Sequence, residues 1–143
     1  MKTYSKIGLM LLLVWMALTT EGIARVPTTQ PGPDAARLSG SPGKAVSDLF
    51  EVRFIEINGE NIQPREFIWL EPGTYTVKVA ILANSTQPRM RGAGAAMDQG
   101  PEGYNMIDLE LEAGKTYQIR GRYNREKPEA PYSVVLYRVD NNQ

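Results

Sequence analysis

An all-β fold, a small antiparallel β-sandwich of six or seven strands, is predicted by three observations on this chain. Leu70-Glu71-Pro72-Gly73-Thr74-Tyr75-Thr76-Val77 returns, with one residue inserted, as Leu111-Glu112-Ala113-Gly114-Lys115-Thr116-Tyr117-Gln118-Ile119. Both copies lie between segments in which apolar and polar residues alternate, the period of a half-buried strand. Six or seven such segments fall within about ninety residues, with turn signals between them and no convincing helical stretch. Each copy of the repeat reads as a hairpin: a strand ends on Leu, a Gly supplies a positive φ, and the next strand opens on an aromatic residue.

The first 24 residues read as an export signal. Lys2 and Lys6 make a positive start, residues 7–18 are uncharged and almost wholly apolar, and Gly22-Ile23-Ala24 offers a small-x-small cleavage pattern. A helix over twelve residues spans about 18 Å, short of the ~30 Å hydrocarbon layer, so a cleaved signal is favoured over a membrane anchor. Cleavage after Ala24 leaves no stable membrane span and predicts a periplasmic or secreted protein. Removing residues 1–24 takes away two Lys and one Glu from sixteen basic and sixteen acidic residues, so the mature chain carries a net charge near −1. Such a balance points at neither nucleic acid nor an anionic membrane. No cysteine is present, so an ordinary hydrophobic core must supply the stability.

Residues 25–47 contain seven Pro or Gly and few apolar groups, and read as a disordered tether. From Asp48 the period is two. Phe50, Val52 and Phe54 alternate with Glu51 and Arg53, then the parity changes to Ile55 and Ile57, which predicts a bulge or a strand covered on both faces. Asn58-Gly59 reads as a turn. Strands are then predicted through Phe67-Ile68-Trp69-Leu70 and through residues 74–81, with Tyr75, Val77, Val79 and Ile81 on the core side. Ile107, Leu109 and Leu111 alternate with Asp108, Glu110 and Glu112; after Gly114 come Tyr117 and Ile119. The final segment, 132–139, is apolar on both sides, which predicts a central strand. One domain over 48–140 accounts for the pattern, interrupted by a long loop at 83–105.

Ile57-Asn58-Gly59, followed by Ile68-Trp69-Leu70-Glu71-Pro72-Gly73-Thr74-Tyr75-Thr76-Val77-Lys78-Val79, resembles the strand–turn pattern of PEGA-like surface β domains. The stretch from Leu109 to Ile119 is similar to the L-x-L-x-A-G-K-x-Y ending of several small β-sandwich families of the bacterial envelope. The Pro-Glu-Gly-Ala string itself is absent. The resemblance spans roughly residues 50–140 and implies a non-catalytic envelope module, with no functional residues to transfer.

With neither His nor Cys, the chain lacks the usual neutral-pH base, the thiolate nucleophile and the best transition-metal ligands. No catalytic residue, cofactor or metal site is predicted. A carboxylate pair drawn from Asp108, Glu110 and Glu112 is the one acid–base arrangement left, but strict alternation makes them a solvated strand face. The same straight strand cannot wrap a calcium ion. The basic cluster Arg120, Arg122, Arg125 and Lys127, with Tyr123 beside it, suits an envelope polyanion, or else Arg120 and Arg122 pair with the Asp108–Glu112 carboxylates across the hairpin. Arg89, Met90, Arg91 and Met97 give the long loop flexible, basic contact groups, against a plain disordered insertion. Asn84-Ser85-Thr86 in the same loop matches a glycosylation acceptor, which a bacterial protein ordinarily leaves unmodified. Trp69 is a candidate anchor for a sugar or a protein partner. These residues predict a non-catalytic binding or structural accessory protein of the bacterial envelope, recognising an envelope protein or cell-wall component. The competing expectation is a carbohydrate-binding or carbohydrate-active protein using Trp69, Tyr123 and the strand carboxylates.

Overall fold

The computed structural model of the chain describes residues 25–41, 47–83 and 102–142, and in them every regular element is a strand. Nine strands are present: β1 (Ala36–Ser39), β2 (Leu49–Phe50), β3 (Val52–Ile57), β4 (Glu60–Arg65), β5 (Phe67–Leu70), β6 (Gly73–Ile81), β7 (Met106–Leu111), β8 (Lys115–Tyr123) and β9 (Tyr132–Asn141). They form two sheets. In the four-stranded sheet the order is β4-β3-β6-β7, all antiparallel. In the five-stranded sheet β8 pairs with β9 on one side and with both β2 and β1 on the other, and β5 lies beyond β1.

The core lies between the sheets, which gives a sandwich-like all-β architecture. Ala36, Leu38, Ile68, Leu70, Tyr117 and Ile119 come from the five-stranded sheet; Val52, Phe54, Ile57, Tyr75, Val77, Val79, Leu109 and Leu111 come from the other. Alternation does what the sequence pattern requires: on β6, Tyr75, Val77 and Val79 are buried while Thr74, Thr76 and Lys78 lie towards solvent. The parity change in β3 is a register shift between Phe54 and Glu56, opposite both β4 and β6. Asn58 (φ 50°) and Gly59 (φ 82°) both take the left-handed conformation of a two-residue hairpin turn joining β3 to β4.

Four expectations are corrected. First, residues 36–39 of the expected tether form β1, placed between β5 and β8. Ala36 and Leu38 are fully buried, and Gly40 is locked by hydrogen bonds from its N–H to the Glu66 carbonyl (2.8 Å) and from the Val52 N–H to its own carbonyl (3.0 Å). Even upstream, Thr28 bridges to Leu70. Second, the polar strand β4, with Pro64 in it, was not expected. It is the edge of its sheet, where a missing N–H costs little.

Third, neither copy of the repeat is a hairpin. β5 lies in one sheet and β6 in the other; β7 and β8 likewise lie in different sheets. Each copy is a corner that carries the chain across the core, and its Tyr closes the corner. Tyr75 Oη donates to the Glu71 carbonyl (2.8 Å), and the Glu112 N–H donates to Tyr117 Oη (2.8 Å). The extra residue in the second copy lengthens the span the Tyr closes from four positions to five. The chain also changes sheet at Glu51, between β2 and β3. Fourth, β9 is an edge strand rather than a central one. Among the described strands it pairs only with β8, apart from one hydrogen bond from the Val134 N–H to the Tyr104 carbonyl (3.1 Å), and Leu136, Tyr137 and Val139 are 42%, 44% and 43% exposed.

The expected signal segment, Arg89, Met90, Arg91, Met97 and the Asn84-Ser85-Thr86 pattern lie outside the described residues. At the described end of the long loop, Asn105 is buried and brackets β6. Its side-chain amide donates to the Val79 carbonyl (2.9 Å), and its own carbonyl accepts the Val79 N–H (2.9 Å). Among the described residues no helix is long and apolar enough to cross a membrane.

Candidate functional site

The outer face of the five-stranded sheet concentrates recognition chemistry. Because Leu38, Ile68, Leu70, Tyr117 and Ile119 turn inwards, alternation turns Arg37, Phe67, Trp69, Thr116 and Gln118 outwards. Pairing then sets them in rows. Trp69, Arg37, Thr116 and Asp140 are successive partners across β5, β1, β8 and β9; Phe67, Ser39, Gln118 and Arg138 form the next row. The Arg37 guanidinium lies 4.6 Å from the Phe67 ring centre and 5.7 Å from that of Trp69, within cation–π range of both.

A groove of about 570 Å³ runs along these rows, walled by Arg37, Trp69, Gln118, Arg138, Asp140 and Asn141. Its volume falls within the range of small-molecule sites. The charges in it are not equivalent. Asp140 Oδ2 accepts from Arg138 Nε (2.8 Å) and from Gln118 Nε2 (2.7 Å), so that carboxylate is matched. Among the described residues no carboxylate pairs with Arg37, and its Nε is buried without an acceptor. Asn142 belongs to the framework instead, tying Thr116 to the Ala35 carbonyl.

Comparison with protein-family models, with curated proteins and with solved structures returns no match for this chain. Its chemistry must therefore be read from placement.

The second feature of this sheet is the free side of β9. Five large apolar side chains are exposed among the described residues, and Leu136, Tyr137 and Val139 on β9 are three of them. Tyr137 sits at the register shift opposite Gln118 and Ile119, with its ring 5.1 Å from the Arg120 guanidinium.

The expected site residues are scattered. Trp69 is half-buried beside Arg37. Arg120 is only 3% exposed, held between Tyr137 and Gln118 Oε1 (3.4 Å), so it is a structural group and not an open ligand for a polyanion. Burial lowers its pKa, which Tyr137 opposes and Arg138 reinforces. Arg122 is exposed, while Tyr123 packs at a tilt against Tyr132 (5.3 Å between ring centres), which in turn meets Phe50. Seven residues of β8 separate Tyr123 from the row of Trp69, roughly 23 Å at strand rise, so the two do not share a site. Arg125 pairs with Asp48 (3.1 Å).

Asp108, Glu110 and Glu112 are exposed on the other sheet, and Asp108 accepts from Thr76 Oγ1 (2.6 Å). They face neither Arg120 nor Arg122, because β7 and β8 are not a hairpin. No group of three acidic residues that could hold a metal ion occurs among the described residues. Arg37, the centre of the groove, is not legible as a site residue in the sequence because its Pro- and Gly-rich flanks read as a tether. Its signal was the short alternation Ala36-Arg37-Leu38.

Proposed function

We propose that this protein is a non-catalytic, exported accessory protein of the bacterial cell envelope that recognises another envelope protein by strand addition to β9. The observation that carries the reading is the open side of β9 beyond Val134, whose N–H donates to the Tyr104 carbonyl (3.1 Å): among the described residues, positions 135–141 are paired on one side only, with Leu136, Tyr137 and Val139 half exposed. An unpaired edge offers a row of backbone N–H and C=O groups to an extended segment, and side chains at alternate positions select its sequence. Natural edges are usually blunted by charge, Pro or brevity, as β4 is by Pro64 and its charged residues; β9 instead pairs length with apolar side chains. Arg138 and Asp140, one of each sign, give the incoming strand a register. Export rests on the apolar run at residues 7–18, and the absence of catalysis on a chain without His or Cys.

A photo-crosslinking residue at position 136 or 139, in cells, tests the reading. One discrete adduct is expected from either site, none from the same residue at exposed Glu110, and loss of the position-139 adduct in a Leu136→Lys/Tyr137→Lys chain that melts normally. An adduct with a second copy of this chain alone, or adducts equally abundant from position 110, refutes it.

A further inference from the structure

We infer that the groove on the outer face of the five-stranded sheet binds a saccharide carrying a carboxylate, with Arg37 as its anion receptor and Trp69 as its stacking surface. The groove shares Arg138, Asp140 and Asn141 with β9, but its argument rests on Arg37 and Trp69 and does not depend on the reading given for that edge.

Three ionic side chains line the groove, Arg37, Arg138 and Asp140, and the last two satisfy each other at 2.8 Å. One guanidinium is left over, with no carboxylate partner among the described residues and its Nε buried without an acceptor. A guanidinium without a counter-charge costs free energy that an anion in the groove would recover through its terminal N–H groups, the Nε being enclosed. Arg37 is also preorganised. Its main chain is fixed on both sides, to Trp69 on β5 and to Thr116 on β8, and its guanidinium rests against the Phe67 and Trp69 rings. A cation already held in place loses little side-chain entropy on binding, and its planar fork matches a carboxylate.

The rest of the wall suits a sugar ring rather than a bare anion. Trp69 offers an aromatic surface to the C–H face of a pyranose. Of the side-chain amides at the groove, Gln118 is held by Asp140 and Arg120, whereas Asn141, whose Oδ1 accepts from Lys115 Nζ (2.8 Å), keeps its N–H groups for a sugar hydroxyl. Asp140 does not repel an incoming carboxylate as a naked charge would, because Arg138 and Gln118 already bond it. An apolar ligand would find too few hydrocarbon walls, and a phosphate would leave Trp69 unused.

The test uses the full chain with Trp15→Phe, so that Trp69 is the only remaining tryptophan. Its fluorescence is titrated at 0.15 M salt with trigalacturonate, with the neutral trisaccharide maltotriose, and with trialanine bearing a free C-terminal carboxylate. Trigalacturonate should give a saturable change, with maltotriose and trialanine each at least tenfold weaker. Arg37→Gln, checked by an unchanged melting temperature, should weaken trigalacturonate by between about ten- and a hundredfold. If that variant melts early, Asn141→Ala at the exposed rim replaces it, with a loss of a few fold expected. No saturation at millimolar trigalacturonate, equal binding of maltotriose or trialanine, or full binding by the variants overturns the inference.

Discussion

Gly40→Ala separates an ordered N-terminal strand from a loose tether, because the two pictures predict opposite signs. In a flexible segment, adding a methyl group restricts the unfolded chain and is neutral or stabilising by up to about 1 kcal/mol. In this fold, a Cβ on Gly40 would fall on the Val52 carbonyl oxygen, with Val52 Cγ2 at 2.9 Å and the Val52 carbonyl carbon at 3.0 Å. Ordinary contact begins near 3.4 Å, so the backbones of residues 40 and 52 must part by more than an ångström. Neither can move alone: the Gly40 N–H is bound to Glu66 and its carbonyl to the Val52 N–H. Losing those two hydrogen bonds costs about 1–3 kcal/mol, and forcing a methyl group into packed surroundings adds about 1–3. A total loss of about 2–6 kcal/mol follows, which for a domain of this size lowers the melting temperature by roughly 10–30 °C. Thermal unfolding followed by circular dichroism measures it. A change below about 0.5 kcal/mol in either direction, or a gain, refutes the placement of β1.

Two further outcomes are expected. Tyr117→Phe strips the acceptor from the Glu112 N–H and should cost about 1–2 kcal/mol in urea unfolding, more than Tyr75→Phe, which leaves only a carbonyl short of one donor; the reverse order would refute the corner assignment. Burial, with Glu71 adding to it, raises the Tyr75 pKa, and burial with Tyr123 raises that of Tyr132, so the folded state holds both phenolic protons more tightly than the unfolded chain. Their contribution is therefore complete below about pH 10 and falls as pH rises through and beyond 10. Urea midpoints measured between pH 8.5 and 11 should decline, less steeply in Tyr75→Phe, and a rising midpoint contradicts the assignment.

What the sequence reveals about this fold is what local alternation can encode. β3, β5, β6, β7 and β8 follow from it, as does the irregularity after Phe54, because a single buried face forces a period of two. Sheet membership does not. Leu70-Glu71-Pro72-Gly73 and Leu111-Glu112-Ala113-Gly114 carry the chemistry of any Gly turn, and whether the next strand pairs with the last or crosses the core depends on partners far along the chain. β1 was hidden by its length of four residues and its Pro- and Gly-rich flanks, and β4 by its polarity. The two-sided apolar character of β9 is real, but a strand apolar on both sides can lie inside a sheet or at its edge, and local pattern does not say which. The groove could not be read at all without β1, since Arg37 meets Trp69, Phe67 and Thr116 only once that strand is inserted.

The insertion of β1 between β5 and β8 also governs the order in which the molecule can be completed. Ser39 emerges from the ribosome early, yet its neighbour Gln118 follows some eighty positions later. Until then the apolar side of Leu38 has no finished sheet to join, and a nascent chain lacking its last thirty residues cannot reach the native state. Assembly is thus delayed until nearly the whole polypeptide is made, the slow regime expected when pairing is dominated by distant segments.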